Sequence, residues 1–281
     1  MESSRESKVS KFFRVLLSFV LFASIALMSI SVCTKVFVVD KGAIEKNFVS
    51  FEYVNGTRQN IVDAATDIYL KNGLDYSDLD NKISYELIEN AVREYTARMV
   101  ESNNGYSDET CEQAFNDIYD VFRADINEKA KQAGYDNKDA VEKIGTSFKN
   151  YLEGCLNIDL PEKAGSYLNM ANIAFFILIG VFAFIAAASG LILFFIGKKR
   201  YRCVRKMGIS IASAGIYDLA VALIFYIIFS VKNINIYPIY LHDALIQFLY
   251  NYIGSLAVMG CSLMVLSIVI FAIVWKMKRA K

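Results

Sequence analysis

Four long runs of apolar residues interrupt a chain that otherwise mixes polar and apolar positions. Residues 15–33, 173–196 and 253–275 contain no charged side chain, and residues 207–230 contain one, Asp218. Each run approaches or exceeds the roughly 20 residues that an α-helix needs to cross a bilayer. The pattern therefore predicts four transmembrane helices. We place them at residues 15–39, 170–197, 207–230 and 253–275.

Between the first and second runs, residues 40–169 have the pattern of amphipathic helices. Apolar side chains recur at three- and four-residue spacing, for example at Ile83, Leu87, Ile88 and Ala91. The alternating pattern of a half-buried strand is absent. We therefore expect the fold class to be an all-α membrane protein, with four transmembrane helices and an extracytoplasmic helical bundle inserted between the first and second.

The connection between the third and fourth runs, residues 231–252, is rich in aromatic side chains such as Tyr240 and Phe248. Tyrosine and tryptophan rings prefer the headgroup level of a bilayer. We expect this connection to be an outer loop containing a short helix, which begins after Pro238 and lies in the interface.

The basic residues outside the four runs predict the orientation. The leader at 1–14, the loop at 198–206 and the tail at 276–281 hold 14 Lys and Arg against two Glu. Short flanks rich in Lys and Arg remain in the cytoplasm. The sequence therefore predicts a multi-pass plasma-membrane protein with both termini cytoplasmic and with residues 40–169 on the outer side.

The first run has a second interpretation, because a basic leader followed by an apolar run also describes a signal peptide. Cleavage after Ser31 would remove the run, whereas an uncleaved signal anchor would keep it as a span. We favour the uncleaved anchor. In both cases the segment that follows lies outside.

The net charge of +1 hides two opposed surfaces. Residues 40–169 contain 25 acidic and 14 basic side chains, a net charge of −11, while the inner flanks are basic. A basic inner rim is attracted to anionic lipid headgroups. We expect membrane lipids as partners, together with a membrane-protein partner or a second copy of the chain. No nucleic-acid-binding module is recognisable, so nucleic acid is not an expected partner.

Asp218 is the sharpest single feature, because a carboxylate at mid-membrane costs roughly 2.5 to 3.5 kcal/mol on translocon-based scales. Ser210, Ala214, Asp218 and Ala222 recur at four-residue spacing and form a small, polar stripe on which another helix can lie. The functional interpretation is a proton relay, an ion relay or an inter-subunit contact. The structural one is a protonated carboxyl group hydrogen-bonded to another helix. Partners available to the carboxyl group are the hydroxyl groups of Ser255 and Ser262 on the fourth span, or a basic residue on another protein.

His242 and Asp243 are the second candidates for chemistry, because the single histidine lies in the outer loop beside a carboxylate. A histidine can serve as general base. Adjacent helical residues point about 100° apart, however, and no serine or cysteine is marked as a nucleophile. The order of one span, an insert and three further spans resembles in layout some bacterial lipoprotein transacylases, a resemblance that implies a lipid or lipoprotein substrate.

The cysteines and acidic residues give no cofactor or metal site. The five cysteines lack zinc-binding spacing. Residues 78–89 begin like a calcium-binding EF-hand loop, but Lys82 and Ile83 occupy positions that require an acidic residue and glycine. Cys111 and Cys155 lie on apolar faces of different helices outside the cytosol, where they form either a disulfide or two buried thiols.

These features favour an interaction, scaffold or accessory subunit that acts through its external helical domain, and we lean away from an enzyme. One alternative is a membrane-embedded enzyme that acts on lipid or lipoprotein at the outer leaflet with His242, Asp243 or Asp218. Another is a sensor or transport-complex subunit that uses the intramembrane carboxylate.

Overall fold

A computed structural model describes residues 8–101, 108–134, 138–156, 164–196, 200–231 and 239–279 of the chain. Helices account for 94% of the described residues, and no strand occurs in these ranges. This confirms the all-α fold class.

The described ranges contain ten α-helices and one π-helical turn. In chain order they are α1 (Lys8–Thr34), the π turn (Lys35–Val39), α2 (Lys41–Phe48), α3 (Phe51–Lys71), α4 (Leu79–Lys82), α5 (Tyr85–Glu101), α6 (Asp108–Gln132), α7 (Lys138–Leu156), α8 (Ala164–Ile196), α9 (Arg200–Val231) and α10 (Ile239–Arg279).

Four of these helices are long and apolar enough to cross a membrane, as the sequence predicts. The candidate spans are Phe12–Val39, Gly165–Ile196, Arg200–Ser230 and Leu241–Arg279. Each is longer than the apolar run that predicted it, because the helices continue into their polar flanks.

The separate interfacial helix expected after Pro238 is not present. A helix does begin at Ile239, but it continues without a break for 41 residues into the fourth span. No proline follows Pro238 in the chain, so nothing interrupts the backbone hydrogen bonds between residues 239 and 253.

Contacts between helices divide the chain into two compact units. The span unit comprises α1, the π turn, α9, most of α8 and the part of α10 that begins at Phe248. The insert unit comprises α2 to α7 with the first turns of α8 and α10.

The core of the insert unit is built from aromatic and aliphatic side chains of α3, α5, α6 and α7. The rings of Phe122 and Phe148 stack with centroids 3.7 Å apart, and the Tyr69 ring meets Phe122 edge-on. All three side chains are fully buried. Ala244 of α10 is buried in the same core, which explains why the first turns of α10 belong to this unit.

Two glycines end helices of the insert unit. Gly73 and Gly134 have φ angles of 64° and 74°, a left-handed backbone conformation that residues other than glycine rarely adopt. They close α3 and α6 as helix C-caps do.

Candidate functional site

The stripe predicted on α9 is buried within the span unit. Ser210, Ala214, Asp218 and Ala222 expose at most 4% of their surface, and Asp218 exposes none. The adjacent Tyr217, by contrast, is 44% exposed. The stripe is therefore the side of α9 that packs against other helices.

The stripe packs along α1. The Ser210 hydroxyl donates to the backbone carbonyl of Ser18 at 2.8 Å, and Ala214 lies in one apolar cluster with Ala26. Further along, Ala222 shares a cluster with Cys33. The residue numbers at these contacts increase together along α1 and α9, so the two helices run parallel.

Asp218 meets α1 through Ser29. The Ser29 Oγ lies 2.6 Å from Asp218 Oδ2, and Ser29 is itself 2% exposed. The second carboxyl oxygen, Oδ1, is enclosed and has no hydrogen-bond partner among the described residues. The Cys33 thiol lies near enough to interact with Asp218 and with the Ser255 hydroxyl.

The partner of Asp218 is therefore not the one that the sequence suggested. Ser255 and Ser262 donate to backbone carbonyls of their own helix, at Tyr252 and Val258. Ser29 takes the role because α1, rather than α10, covers the carboxyl side of α9.

Helix α10 packs against a different line of small residues on α9, which the sequence reasoning missed. A Cβ atom added to Gly215 would lie 2.7 Å from the Gly260 carbonyl oxygen, so the two backbones are nearly in contact. The Ser267 hydroxyl donates to the Gly208 carbonyl at 3.1 Å. A signal existed: Gly208 and Gly215 lie seven residues apart, a spacing typical of packed helices.

His242 and Asp243 lie in the first turns of α10, within the insert unit, whereas Asp218 belongs to the span unit. The His242 Nδ1 is 3.0 Å from Asp243 Oδ1. The two side chains are thus within hydrogen-bonding distance, although adjacent helical residues point about 100° apart. Both are partly accessible, with 31% and 58% of the side chain exposed.

Cys111 and Cys155 are not joined in the structure. Cys111 is buried and Cys155 is half-buried. Burial raises the pKa of the Cys155 thiol above its ordinary value. The bridge between them stays a prediction.

A buried ionic cluster in the insert unit also escaped the sequence reasoning. Asp125 of α6 is 3% exposed and accepts hydrogen bonds from the Tyr69 hydroxyl at 2.6 Å and from Lys82. Burial and the adjacent carboxylate raise the pKa of Tyr69, and the hydrogen bond to Asp125 raises the pKa of Lys82. Lys82, which occupies an acidic position of the EF-hand pattern, thus attaches α4 to α6.

A neighbouring ion pair fixes the loop after α3. Lys129 of α6 donates to Asp75 at 3.0 Å, and the Ser77 amide donates to the same carboxylate at 3.1 Å. These bonds lower the pKa of Asp75 to about 2. Asp75 is therefore an acidic residue of the insert unit that has a structural role.

The insert unit contains a groove lined by charged side chains. It measures about 370 Å³ and lies between α2 and α5, where its lining residues are Gly42, Glu45, Lys46, Val49, Glu89 and Arg93. Arg93 contacts both Glu45 and Glu89, at 3.2 and 2.9 Å. The charges in this groove therefore largely neutralise one another.

No metal centre is formed by the part of the chain that the structure describes, in which no three His, Cys, Asp or Glu side chains are grouped suitably. Comparisons with protein-family models, with curated proteins and with solved structures found no match to this chain.

Proposed function

We propose that the chain is a membrane-anchored interaction protein. Four spans hold the helical insert on the outer side of the plasma membrane, and the insert binds a protein partner, so that the chain acts as a scaffold or accessory subunit. The inner basic flanks support this orientation, since Lys and Arg next to spans remain in the cytoplasm.

The observation that carries the proposal is how the span unit uses its buried polar groups. Asp218 contacts Ser29, and Ser210 contacts the Ser18 carbonyl, so both bonds join α9 to α1. Ser267 joins α10 to the Gly208 carbonyl of α9. Polar groups that bind neighbouring helices in this way build a rigid anchor. An anchor of this kind supports a role in which the insert does the binding.

The surface of the insert unit supports a partner with basic groups. Glu109, Glu112, Asp117 and Asp120 are exposed along α6. None of these four forms an ion pair with another described residue. Their field attracts cationic surfaces and raises the rate of encounter.

Side-specific labelling tests the orientation. In a cysteine-free background, one variant carries Ser147→Cys on the exposed side of α7 and another carries Lys278→Cys at the end of α10. A membrane-impermeant maleimide added to intact cells should label only the first. Labelling of the second alone would place the insert inside and refute the proposal.

Charge reversal tests the binding role. One variant changes Glu112, Asp117 and Asp120 together to Lys. The control variant changes the exposed Asp63 and Asp67 of α3 to Lys. Proteins co-extracted with the full-length chain should be lost from the α6 variant and retained by the control. Equal retention by both variants would exclude α6 as the binding face.

The contact between His242 and Asp243 favours a second candidate, a membrane-embedded enzyme that acts on lipid or lipoprotein at the outer leaflet. A carboxylate 3.0 Å from Nδ1 can orient an imidazole and leave Nε2 for use as a general base. Loss of turnover in His242→Ala would favour this candidate.

A further inference from the structure

If Asp218 is ionised, the Ser29 hydroxyl has too few protons for the two hydrogen-bonding contacts that it makes. The Ser29 Oγ lies 2.6 Å from Asp218 Oδ2 and also 2.8 Å from the Ala26 carbonyl oxygen. A hydroxyl group has one proton to donate, and a carbonyl and a carboxylate can only accept. With an ionised carboxylate, one of these two short contacts has no proton in it.

A protonated carboxyl group satisfies both contacts at once. Its O–H donates to Ser29 Oγ, and the Ser29 O–H then donates to the Ala26 carbonyl. Both distances fall in the ordinary range for O–H···O bonds. The result is a chain of two hydrogen bonds from α9 to the backbone of α1.

The surroundings of Asp218 also disfavour a charge. The side chain is fully enclosed, and its Oδ1 has no partner among the described residues. No Lys, Arg or His side chain in the described ranges forms a salt bridge with Asp218. A buried carboxylate with one neutral hydrogen bond and no counter-ion is strongly destabilised, whereas the neutral acid needs only ordinary polar contacts.

We propose that Asp218 is an uncharged carboxylic acid that donates its proton to Ser29, and that loss of this proton loosens the contact between α1 and α9. The site thus binds a proton as its ligand, and the packing of two spans depends on whether that proton is present. This inference concerns the span unit alone and does not depend on the role of the insert.

The groups facing Asp218 determine what else could titrate there. From α1 they are the Ser29 hydroxyl and the Cys33 thiol, of which only the thiol is titratable. From α10 the nearby polar side chain is Ser255, which carries no charge and contacts the same thiol. Cys33 is 3% exposed and therefore reports whether the contact between the helices has opened.

Infrared spectroscopy of the full-length protein in lipid nanodiscs tests the protonation state. The wild-type spectrum minus that of Asp218→Asn should contain the carbonyl stretching band of a protonated carboxylic acid at neutral pH. Ser29→Ala removes the acceptor and should shift that band to higher frequency. The matched control is Ser24→Ala, because Ser24 is also buried in α1 but donates to Val20 of its own helix.

Reaction of Cys33 with a small membrane-permeant maleimide, measured by mass spectrometry, tests the loosening. Asp218→Asn has no ionisable group at this position and is the reference, so the ratio of the wild-type rate to the Asp218→Asn rate should rise several-fold as the pH increases. Ser29→Ala should raise the labelling rate at fixed pH, and Ser24→Ala should leave it unchanged.

Three results would overturn the proposal: no carboxylic acid band at neutral pH, a band that Ser29→Ala does not move, or a labelling ratio that stays flat while the band disappears with rising pH. If Ser29→Ala does not fold, Ser29→Cys is used in its place. A thiol is a weaker acceptor and should move the band in the same direction.

Discussion

At the scale of single residues, charged and polar side chains in this chain serve to join helices. Asp218 joins α9 to α1 through Ser29, and Asp125 joins α6 to α3 and α4 through Tyr69 and Lys82. In both places the carboxyl group is almost fully enclosed. A buried carboxyl group is tolerated when it takes part in hydrogen bonds, and the partners named here all come from other helices.

Replacing Asp218 tests its contribution to stability. Asp218→Asn keeps a donor for Ser29 and should stay close to the wild type. Asp218→Leu loses the hydrogen bond and places branched carbons against α1, so we expect a loss of about 1 to 3 kcal/mol. Denaturant unfolding in detergent micelles measures the difference. The control is Tyr217→Leu, a change at the neighbouring, partly exposed position. Equal stability of the two Asp218 variants would contradict the account.

The loop that follows α3 should loosen in acid. Hydrogen bonds from Lys129, and then from Ser77, lower the pKa of Asp75 from 3.8 to about 2. Because the folded value lies below the unfolded one, the stabilisation is complete above pH 3.8 and disappears as the pH falls toward 2. Hydrogen exchange at the Ser77 amide should accelerate across that window, beyond the intrinsic pH dependence of exchange.

Asp75→Asn removes the titrating group and should abolish this acid-induced change. Asp63→Asn is the control, because Asp63 is exposed and accepts a hydrogen bond from Gln59 within its own helix. Acid loosening that persists in Asp75→Asn would mean that another group controls the loop.

At the scale of helices, α9 carries two separate packing lines. One line, which includes Ser210 and Asp218, contacts α1, and the other, which includes Gly208 and Gly215, contacts α10. Small residues let helix backbones approach closely in a membrane, where no hydrophobic force drives the helices together. The line facing α10 depends on the absence of a side chain at Gly215.

Gly215→Val should therefore destabilise the span unit. An added Cβ would lie 2.7 Å from the Gly260 carbonyl oxygen, a backbone atom that cannot move aside alone. We expect a loss of about 1 to 3 kcal/mol from overpacking, measured by thermal unfolding in detergent. Gly254→Val is the matched control, since a Cβ there meets nothing within 4 Å. A similar effect of both variants would argue against the close approach.

The sequence was sufficient to predict elements whose signal is local. Four spans follow from run length, and the helical insert follows from the spacing of residues such as Ile83 and Ile88. The partner of Asp218 was not predictable in this way, because Ser29 is 189 positions away and nothing local distinguishes it from Ser255 or Ser262. The continuous helix α10 was missed because aromatic composition suggested an interfacial loop.

At the scale of the whole molecule, two compact units share one chain, and α8 and α10 contribute to both. The span unit holds its buried polar groups in contacts between helices, while the insert unit exposes charged faces. This difference between the two units supports a protein that binds through the insert unit and is anchored by the span unit.

His242→Ala separates binding from catalysis. In an interaction protein the change should leave co-extracted partners and stability nearly unaltered, because the imidazole is partly exposed and its polar contact is with the adjacent Asp243. Surface changes of this kind usually alter stability by less than about 0.5 kcal/mol. Partner yield and lipid composition of the membrane are measured together. A changed lipid or lipoprotein profile with normal partner yield would favour the enzyme.

The native mass of the full-length protein, extracted gently from its own membrane with the co-extracted species identified, tests the central claim most directly. A single chain has a mass of 31.6 kDa. We predict a larger particle that contains a stoichiometric protein partner or a second copy of the chain. A single chain that retains only a defined class of lipid would contradict the interaction role, and would indicate a lipid-binding site and the membrane-enzyme alternative instead.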